Sequence, residues 1–336
     1  MDYRPLGNTG IEVSAIALGC WPISGMTSLD VNDADSLATI RSCFDLGINF
    51  LDTAYCYGGD GESERLIAKA IAGRRDEVVI ATKGGIHWES ESSATVHKPS
   101  ATGVASYRQA RDASPATLKR ECEESLRRLR TDRVELLYLH APDPAVPLAE
   151  SAGALRELME EGKTRAVGVS NLKLAELEEF TRVCPIAAYQ PPYNMLLRDI
   201  EADTLPWCRR HNVAVVVYWP LMKGLLAGKL PRDHVFASGD GRAKYPMFQG
   251  QEWQRNQDLL DELRAIAAEV GRTVSQVVLN WTIHQPGITS ALCGAKRAWQ
   301  NEENAGAAGW RLSAEHVARI DSALARRGKA ATRWAV

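Results

Sequence analysis

The chain has 336 residues, 40 basic against 42 acidic side chains for a formal net charge of −2, and a content of 45% hydrophobic and 24% charged residues. That balance is ordinary for a soluble globular protein, and the absence of a basic stripe or long charge run speaks against nucleic acid or an anionic membrane as a partner. The length admits two average domains or one (β/α)8 barrel with insertions. The opening stretch MDYRPLGNTGIEVS has no signal-peptide pattern, and no apolar run approaches the roughly 18 residues of a spanning helix. The odd number of cysteines, seven, scattered from Cys20 to Cys293, fits reduced thiols in a cytoplasmic protein rather than a disulfide framework. The seven histidines show neither HExxH nor Cys–His spacing, so no metal site is expected.

In chain order, Leu6–Val13, with Gly7, Asn8 and Gly10, reads as a small hairpin, and Ser14–Gly19 as a first barrel strand ending near Cys20 and Trp21. Asp33–Leu46 puts Leu37, Ile40 and Phe44 on one helical face. Ile48–Leu51 is the second strand, and it runs straight into Asp52. A helix over Ser63–Ala72 and a third strand over Glu77–Thr82 follow. Gly84–Ser114, with His87, Trp88 and His97, reads as a long loop, of a length usually functional or disordered. Ser114-Pro115 then starts a helix with a cap and a first-turn proline, facing Leu118, Cys122, Leu126 and Leu129 inward.

Further strands are expected at Val134–Leu139, Thr164–Val169, Ile186–Tyr189, Val213–Tyr218 and Ile288–Cys293, alternating with helices at Leu148–Glu161, Leu172–Arg182 and Ile200–His211. Trp219–Arg255 reads as a second long loop, before a helical face of Leu259, Leu263, Ile266, Ala267 and Val270. Thr273 and Gln276 make a capping box for the next helix, through Trp281, and Lys296–Ala308 and Ser313–Arg326 are the last helices. Strand–helix alternation runs to eight units without a linker or repeat, which predicts an α/β fold, a (β/α)8 TIM barrel in a single domain over residues 1–336, with an N-terminal β-hairpin and two extra helices.

Several of these apolar strands end on a polar residue: Asp52, Lys83, His140 and Asn171. Charges are seldom left inside unless paired or working, and the strand ends of a parallel barrel are where active sites are built. Taken singly, Asp52 serves equally as a turn cap, Lys83 as a solvated strand end, and His140 as a satisfied core histidine. No GxGxxG follows a strand, so a Rossmann fold is not indicated. Gly224–Lys229 has three residues between its glycines and no Ser or Thr after the lysine, so it is not a phosphate loop.

The run of motifs LDTAYCYG (Leu51–Gly58), TKGG (Thr82–Gly85), YLHAPDP (Tyr138–Pro144), GVSN (Gly168–Asn171), YQPPYN (Tyr189–Asn194), YWPLMKGLLAGK (Tyr218–Lys229) and GAKRAWQNEEN (Gly294–Asn304) resembles the aldo-keto reductase family over nearly the whole chain. The longer-loop bacterial branch, which includes potassium-channel β-subunits, is the most similar. The resemblance implies a catalytic set of Asp52, Tyr57, Lys83 and His140. In it Tyr57 gives a proton to the oxygen of a carbonyl that takes a hydride, Lys83 lowers the Tyr57 pKa, Asp52 pairs with Lys83, and His140 orients the substrate. The spacing from Asp52, directly before a glycine, selects Tyr57 over Tyr55.

The resemblance also implies NADP(H) as cofactor. Ser170, Asn171 and Gln190 match positions that hold the nicotinamide carboxamide, and Tyr218 matches the aromatic stacked on its ring. The segment with Leu221 and Gly224 covers the pyrophosphate, and the loop Trp219–Arg255 is expected to close over the bound cofactor. The segment opened by Gly294 places Lys296 and Arg297 on the 2′-phosphate and Gln300, Glu303 and Asn304 on the adenine. Cations are disfavoured at a helix start unless an anion is bound there, which strengthens that assignment for Lys296 and Arg297; a solvated basic helix end is the plainer alternative. Trp21 and Trp88 are candidates for a substrate pocket, or for ordinary loop packing. Cys293, where a proline is usual, and Trp219, where a small serine is common, depart from the family pattern.

The expected activity is NADPH-dependent reduction of aldehyde or ketone carbonyls, on a small-molecule carbonyl or alcohol substrate. The rivals are a sugar or alcohol dehydrogenase running in the oxidative direction, a non-catalytic NADPH-binding regulatory subunit, and, more distantly, an aldolase using Lys83 as a Schiff base. The substrate stays open, as does oligomeric state, with which a homo-oligomer is compatible.

Overall fold

The computed structural model describes residues 1–26, 30–90, 107–238 and 240–331. The N-terminal hairpin forms as the turn residues predict: β1 (Tyr3–Pro5) pairs antiparallel with β2 (Glu12–Ser14). Its turn depends on Gly7, at φ +56°, because a side chain there would meet the carbonyl oxygen of Ala187 at 2.7 Å. The hairpin is seated under the barrel, with Asn49 bonded to the backbone of both Glu12 and Ser14.

Eight parallel strands then close a barrel in chain order: β3 (Ile16–Gly19), β4 (Phe50–Asp52), β5 (Val79–Gly84), β8 (Leu136–Leu139), β9 (Val167–Ser170), β10 (Ala188–Gln190), β11 (Ala214–Val217) and β12 (Ile288–Gly294), which pairs back onto β3. Between and around them run α1 (Asp33–Leu46), α2 (Glu62–Ala70), α3 (Pro115–Leu129), α4 (Leu148–Glu160), α5 (Leu174–Thr181), α6 (Thr204–Arg210), α7 (Gly250–Glu269), α8 (Val274–Ile283), α9 (Ala298–Ala305) and α10 (Ala314–Arg327). This is the (β/α)8 TIM barrel expected from the alternation, with α7 and α10 as the two additional helices. Those two are joined by Arg319 to Glu262 and Glu269, and by Arg327 to Asn256.

The helices start where their caps dictate. Ser114 Oγ accepts from Thr117 N at the head of α3, and Thr273 and Gln276 form a reciprocal capping box at the head of α8. Leu118, Cys122, Leu126 and Leu129 are all buried against the barrel's outer face. Each leucine hidden this way stabilises the fold by roughly 1.5–3 kcal/mol. The barrel's interior is a separate apolar cluster in which Leu6, Ile11 and Val13 of the hairpin meet Phe50, Val79, Leu136 and Val216.

Three expectations are corrected. The stretch after β5 is not simply a loop: β6 (Ile86–Ser90) and β7 (Tyr107–Arg111) pair as an antiparallel hairpin, because polar and aromatic residues with few helix formers can still satisfy a ladder. His97 lies outside the described residues. The second long loop is shorter than expected, since α7 begins at Gly250 and takes Trp253 and Asn256 into its buried face. The last barrel helix begins at Ala298, so Lys296 and Arg297 precede it, with Arg297 as the N-cap residue.

Candidate active site

Strand alternation decides which polar residues meet. On β4, Phe50 and Asp52 face the barrel interior while Leu51 faces the helices. On β5 the same period turns Ala81 and Lys83 inward and Ile80 outward, and Thr82 donates its hydroxyl to Glu64 of α2. Parallel pairing sets Asp52 opposite Ala81, so the longer Lys83 side chain reaches back to it. Lys83 Nζ lies 2.5 Å from Asp52 Oδ1 and donates to the Thr53 carbonyl at 2.7 Å, with side chains only 1% and 2% exposed. Asp52 Oδ2 accepts from Gln190 Nε2 at 2.7 Å, which links β4 to β10 across the barrel mouth. Burial pushes the Asp52 carboxyl up, while Lys83 and Gln190 pull it back.

Tyr57 comes from the turn after β4. Gly58 has φ +109°, and a Cβ there would collide with Glu62, with its Oε2 at 2.0 Å and its backbone N at 2.8 Å. Only glycine lets the chain turn back into α2 immediately after the tyrosine. Lys83 Nζ is 5.1 Å from the centre of the half-buried Tyr57 ring, and the His140 ring is 6.0 Å from it. Tyr55 points elsewhere, donating its hydroxyl to Glu124 Oε2 at 2.7 Å under the Arg128 guanidinium.

The structure thus brings Asp52, Tyr57, Lys83 and His140 together, but it corrects one electrostatic expectation. The Tyr57 phenol is held well above its ordinary value by burial and then by the Asp52 carboxylate, so its net shift is upward rather than the lowering expected from Lys83. The main physical reason is burial, which penalises the phenolate more than the ammonium, shared with Asp52 2.5 Å away, can favour it. Burial also depresses the His140 imidazole well below its usual range, helped by Lys83 and Arg111. At neutral pH the site therefore presents a protonated phenol beside a neutral imidazole.

Trp21 meets the Tyr57 ring edge-on at 5.0 Å. Trp88, on β6, donates its indole N–H to the Cys56 carbonyl at 2.7 Å and packs with Tyr57 on Ala54, Cys56, Ile86 and Ala141. Both tryptophans lie against the Tyr57 turn.

The second group of predicted residues forms one hydrogen-bonded row along β9, β10 and β11. Ser170 Oγ donates to the Gln190 carbonyl, Asn171 Nδ2 to Ser170 Oγ and to the His140 carbonyl, and Tyr218 Oη to Asn171 Oδ1 at 2.7 Å. Asn171 adopts φ +62°, a left-handed conformation that asparagine tolerates better than most residues. Beyond Tyr218 the backbone is left-handed at Trp219, Met222, Lys223 and Gly224, with the Lys223 ammonium 4.2 Å from the Trp219 ring centre. Non-glycine residues in this region cost of order 1–3 kcal/mol each and cluster at ligand clamps. Leu221, the residue before that turn, packs partly buried on the core.

The third group lies at the end of β12. Gly294 faces Pro22, whose Cγ would be 2.8 Å from an added Cβ. Arg297 is drawn back to α1, pairing with Asp35 at 3.4 Å and donating to the Asp30 carbonyl. Gln300 Oε1 accepts the backbone N–H of both Lys296 and Arg297, so its oxygen caps α9. Asn304 is buried, and Glu303 holds Lys229 at 2.5 Å, fastening the loop after β11 to α9. Sequence reasoning passed over Lys229, Lys223 and Cys56; all three lie inside the motifs, but nothing in their spacing announces the contacts they make. Cys293 is buried, and all seven cysteines are free. Among the described residues, no group of three or more His, Cys, Asp or Glu side chains is placed to hold a metal ion, and no helix is long and apolar enough to cross a membrane.

A closed parallel barrel whose strand ends hold a buried Lys–Asp pair, a tyrosine, a histidine and an amide row is a TIM barrel with a polar cluster at the face where such barrels carry their active sites. The chain belongs to the aldo/keto reductase family: the family's sequence model matches residues 15–325. It is 35% identical over 327 residues to aldo-keto reductase YhdN of Bacillus subtilis, covering 96% of this chain and 94% of that protein. It is 33% identical over 319 residues to the NADH-specific methylglyoxal reductase of Escherichia coli, covering 93% and 95%. Among solved structures it is similar to a glycerol dehydrogenase from Gluconobacter oxydans, with TM-score 0.87, 35% identity and coverage of 97% and 96%. An aldo/keto reductase from Klebsiella pneumoniae in complex with NADP and acetate matches with TM-score 0.73, 29% identity and 98% coverage of each chain. The chain is therefore an oxidoreductase of a family that acts on carbonyls with a nicotinamide cofactor.

Proposed function

We propose that this chain is a single-domain, NADPH-dependent carbonyl reductase in which Tyr57 is the general acid. The observation that carries this reading is the buried Lys83–Asp52 pair, 2.5 Å apart, set beside the Tyr57 ring. A buried ion pair adds little net stability, so its place at the strand ends argues for work.

The residues suit a nicotinamide coenzyme by their chemistry. The carboxamides of Asn171 and Gln190 and the Ser170 hydroxyl lie on adjacent strands beside the Tyr218 ring, and the basic pair Lys296 and Arg297 stands at the end of β12. Ser170, Asn171 and Gln190 would hold the carboxamide and Tyr218 the ring. Leu221 and Gly224, in the loop after β11, would lie over the pyrophosphate. Lys296 would meet the 2′-phosphate, with Arg297 joining it only after leaving Asp35. Gly294, Glu303 and Asn304 would line the adenosine, and Gln300 would contribute mainly by holding the start of α9. Such a coenzyme, when bound, supplies or accepts the hydride.

Tyr57, kept protonated by burial and Asp52, gives its proton to the substrate oxygen as negative charge grows there. Lys83 stabilises the phenolate left behind, and Asp52 and the Thr53 carbonyl fix the ammonium in place. His140, neutral, donates a hydrogen bond to the same oxygen. Trp21 and Trp88 form the apolar wall that excludes water. The tight Lys83–Asp52 bond disfavours the aldolase alternative, which needs a free lysine amine.

Tyr57→Phe tests the mechanism. The variant keeps the ring packing and should bind NADPH normally, while turnover falls by roughly 10² to 10⁴; Tyr55→Phe should lose little. A fully active Tyr57→Phe would sink the mechanism. Tight NADPH binding with no turnover in a broad carbonyl screen would favour a regulatory subunit instead. The likeness to a glycerol dehydrogenase favours a second reading, polyol oxidation on the same site. Assays with aldehydes and polyols, both coenzymes and both directions separate the two.

A further inference from the structure

Cys56 stands between Ala54–Tyr55 and Tyr57 in the turn after β4 and is buried. Its carbonyl is held by the Trp88 indole N–H at 2.7 Å, and its side chain packs on Ala54, Ile86 and Ala141. Its Sγ lies 3.7 Å from His140 Nδ1. Burial pushes the thiol up to about 12 and the imidazole down, so both partners are neutral at physiological pH. Around them, the Lys83 and Arg111 charges oppose an imidazolium; Lys83 favours a thiolate, but burial outweighs it and the Glu121 and Glu64 carboxyls oppose one.

Two arrangements of one proton remain. With the proton on Nδ1, a buried N–H faces sulfur, a weak acceptor. With the thiol donating, a weak donor meets an imidazole nitrogen, a good acceptor, and the ring's own proton is left on Nε2, the nitrogen not engaged with the thiol. We propose that Cys56 is a positioning residue: its thiol donates to His140 Nδ1 and holds the imidazole as the Nε2–H tautomer, ready to donate to the substrate oxygen. The turn that presents the acid thereby also sets the neighbouring donor, so residues 56 and 57 act as one unit. The inference rests on the proposed role of His140 for its consequence in turnover, but not for the tautomer itself.

The test uses the full chain labelled with 15N-histidine, with long-range proton–nitrogen correlation at neutral pH and His140→Gln to assign the signal. The expected wild-type spectrum shows His140 protonated on Nε2 alone. Cys56→Ala should give a mixture of tautomers and a drop in kcat of about 2- to 10-fold, the weight of one net hydrogen bond, with Cys56→Ser recovering part of both. A wild-type proton on Nδ1 overturns the proposal without any variant having to fold. So does Cys56→Ala with an unmixed Nε2–H signal and unchanged kcat. If His140→Gln turns over carbonyls normally, the role of His140 falls while the tautomer measurement still stands or fails alone.

Discussion

At the lower end of the barrel Leu6, Ile11 and Val13 close on Phe50, Val79, Leu136 and Val216; at the upper end Asp52, Lys83 and Gln190 occupy inward positions on the same strands or their neighbours. Phe50 and Asp52 are two residues apart on β4 and point the same way, yet one lies in an apolar plug and the other in an ion pair. The apolar end gains from hiding surface from water. The charged end gains little, because desolvating two ions offsets their attraction. The contrast teaches that the lower end holds the barrel shut, while the upper end, which adds little stability, fits the catalytic role proposed for it.

The sharpest way to break the contrast is Lys83→Met. It should lower turnover by roughly 10² to 10⁴, because Tyr57 loses the charge that steadies its phenolate. It should also destabilise by about 3–5 kcal/mol, since Asp52 is left buried and unpaired. Adding Asp52→Asn should recover most of that stability in urea unfolding and none of the activity. If the double variant regains turnover, the upper end is structural and the division fails.

Leu6→Ala makes the mirror-image prediction. It opens a cavity in the plug and should cost about 2–5 kcal/mol, read from the denaturation midpoint. Its kcat, normalised to folded protein, should not move. A large kcat loss in a folded variant would couple the two ends.

A smaller effect is expected at the end of β12. Lys296→Ala should weaken NADPH roughly 10- to 100-fold more than NADH in fluorescence titration, the weight of one charge-assisted contact. Equal weakening of both coenzymes would mean that the 2′-phosphate sits elsewhere. One relative being named NADH-specific makes this a property to measure chain by chain.

The least effect concerns Glu121, buried on α3, whose Oε2 accepts the Gly85 N–H at 2.7 Å just beyond Lys83. Burial raises its carboxyl from 4.5 to about 8. Between those values the folded chain keeps a proton that the unfolded chain has released. Its contribution to stability is therefore full below about 4.5 and is lost as pH rises through about 8. Glu121→Gln, which can still accept from Gly85, should flatten that decline in denaturation midpoints measured from pH 6 to 9. An unchanged slope would place the titrating group elsewhere.

The sequence by itself determined the strand and helix order, the caps at Ser114 and Thr273, and which strands end in Asp52, Lys83, His140 and Asn171. Those features follow from local periodicity and capping chemistry, which neighbouring residues carry within a few positions. The hairpin of β6 and β7 escaped it, because the short alternation of Ile86 and Trp88 in β6 has no matching apolar pattern in β7 to announce the pairing. Only the tertiary structure decided that Lys83 meets Asp52, that Gln190 completes the pair from 138 residues away, and that Arg297 turns to Asp35. It also decided the direction of the Tyr57 shift, because a pKa answers to burial and to every nearby charge at once. Spacing along a chain fixes which face a side chain takes; what it meets there depends on barrel closure, which brings distant strand ends within a few ångströms.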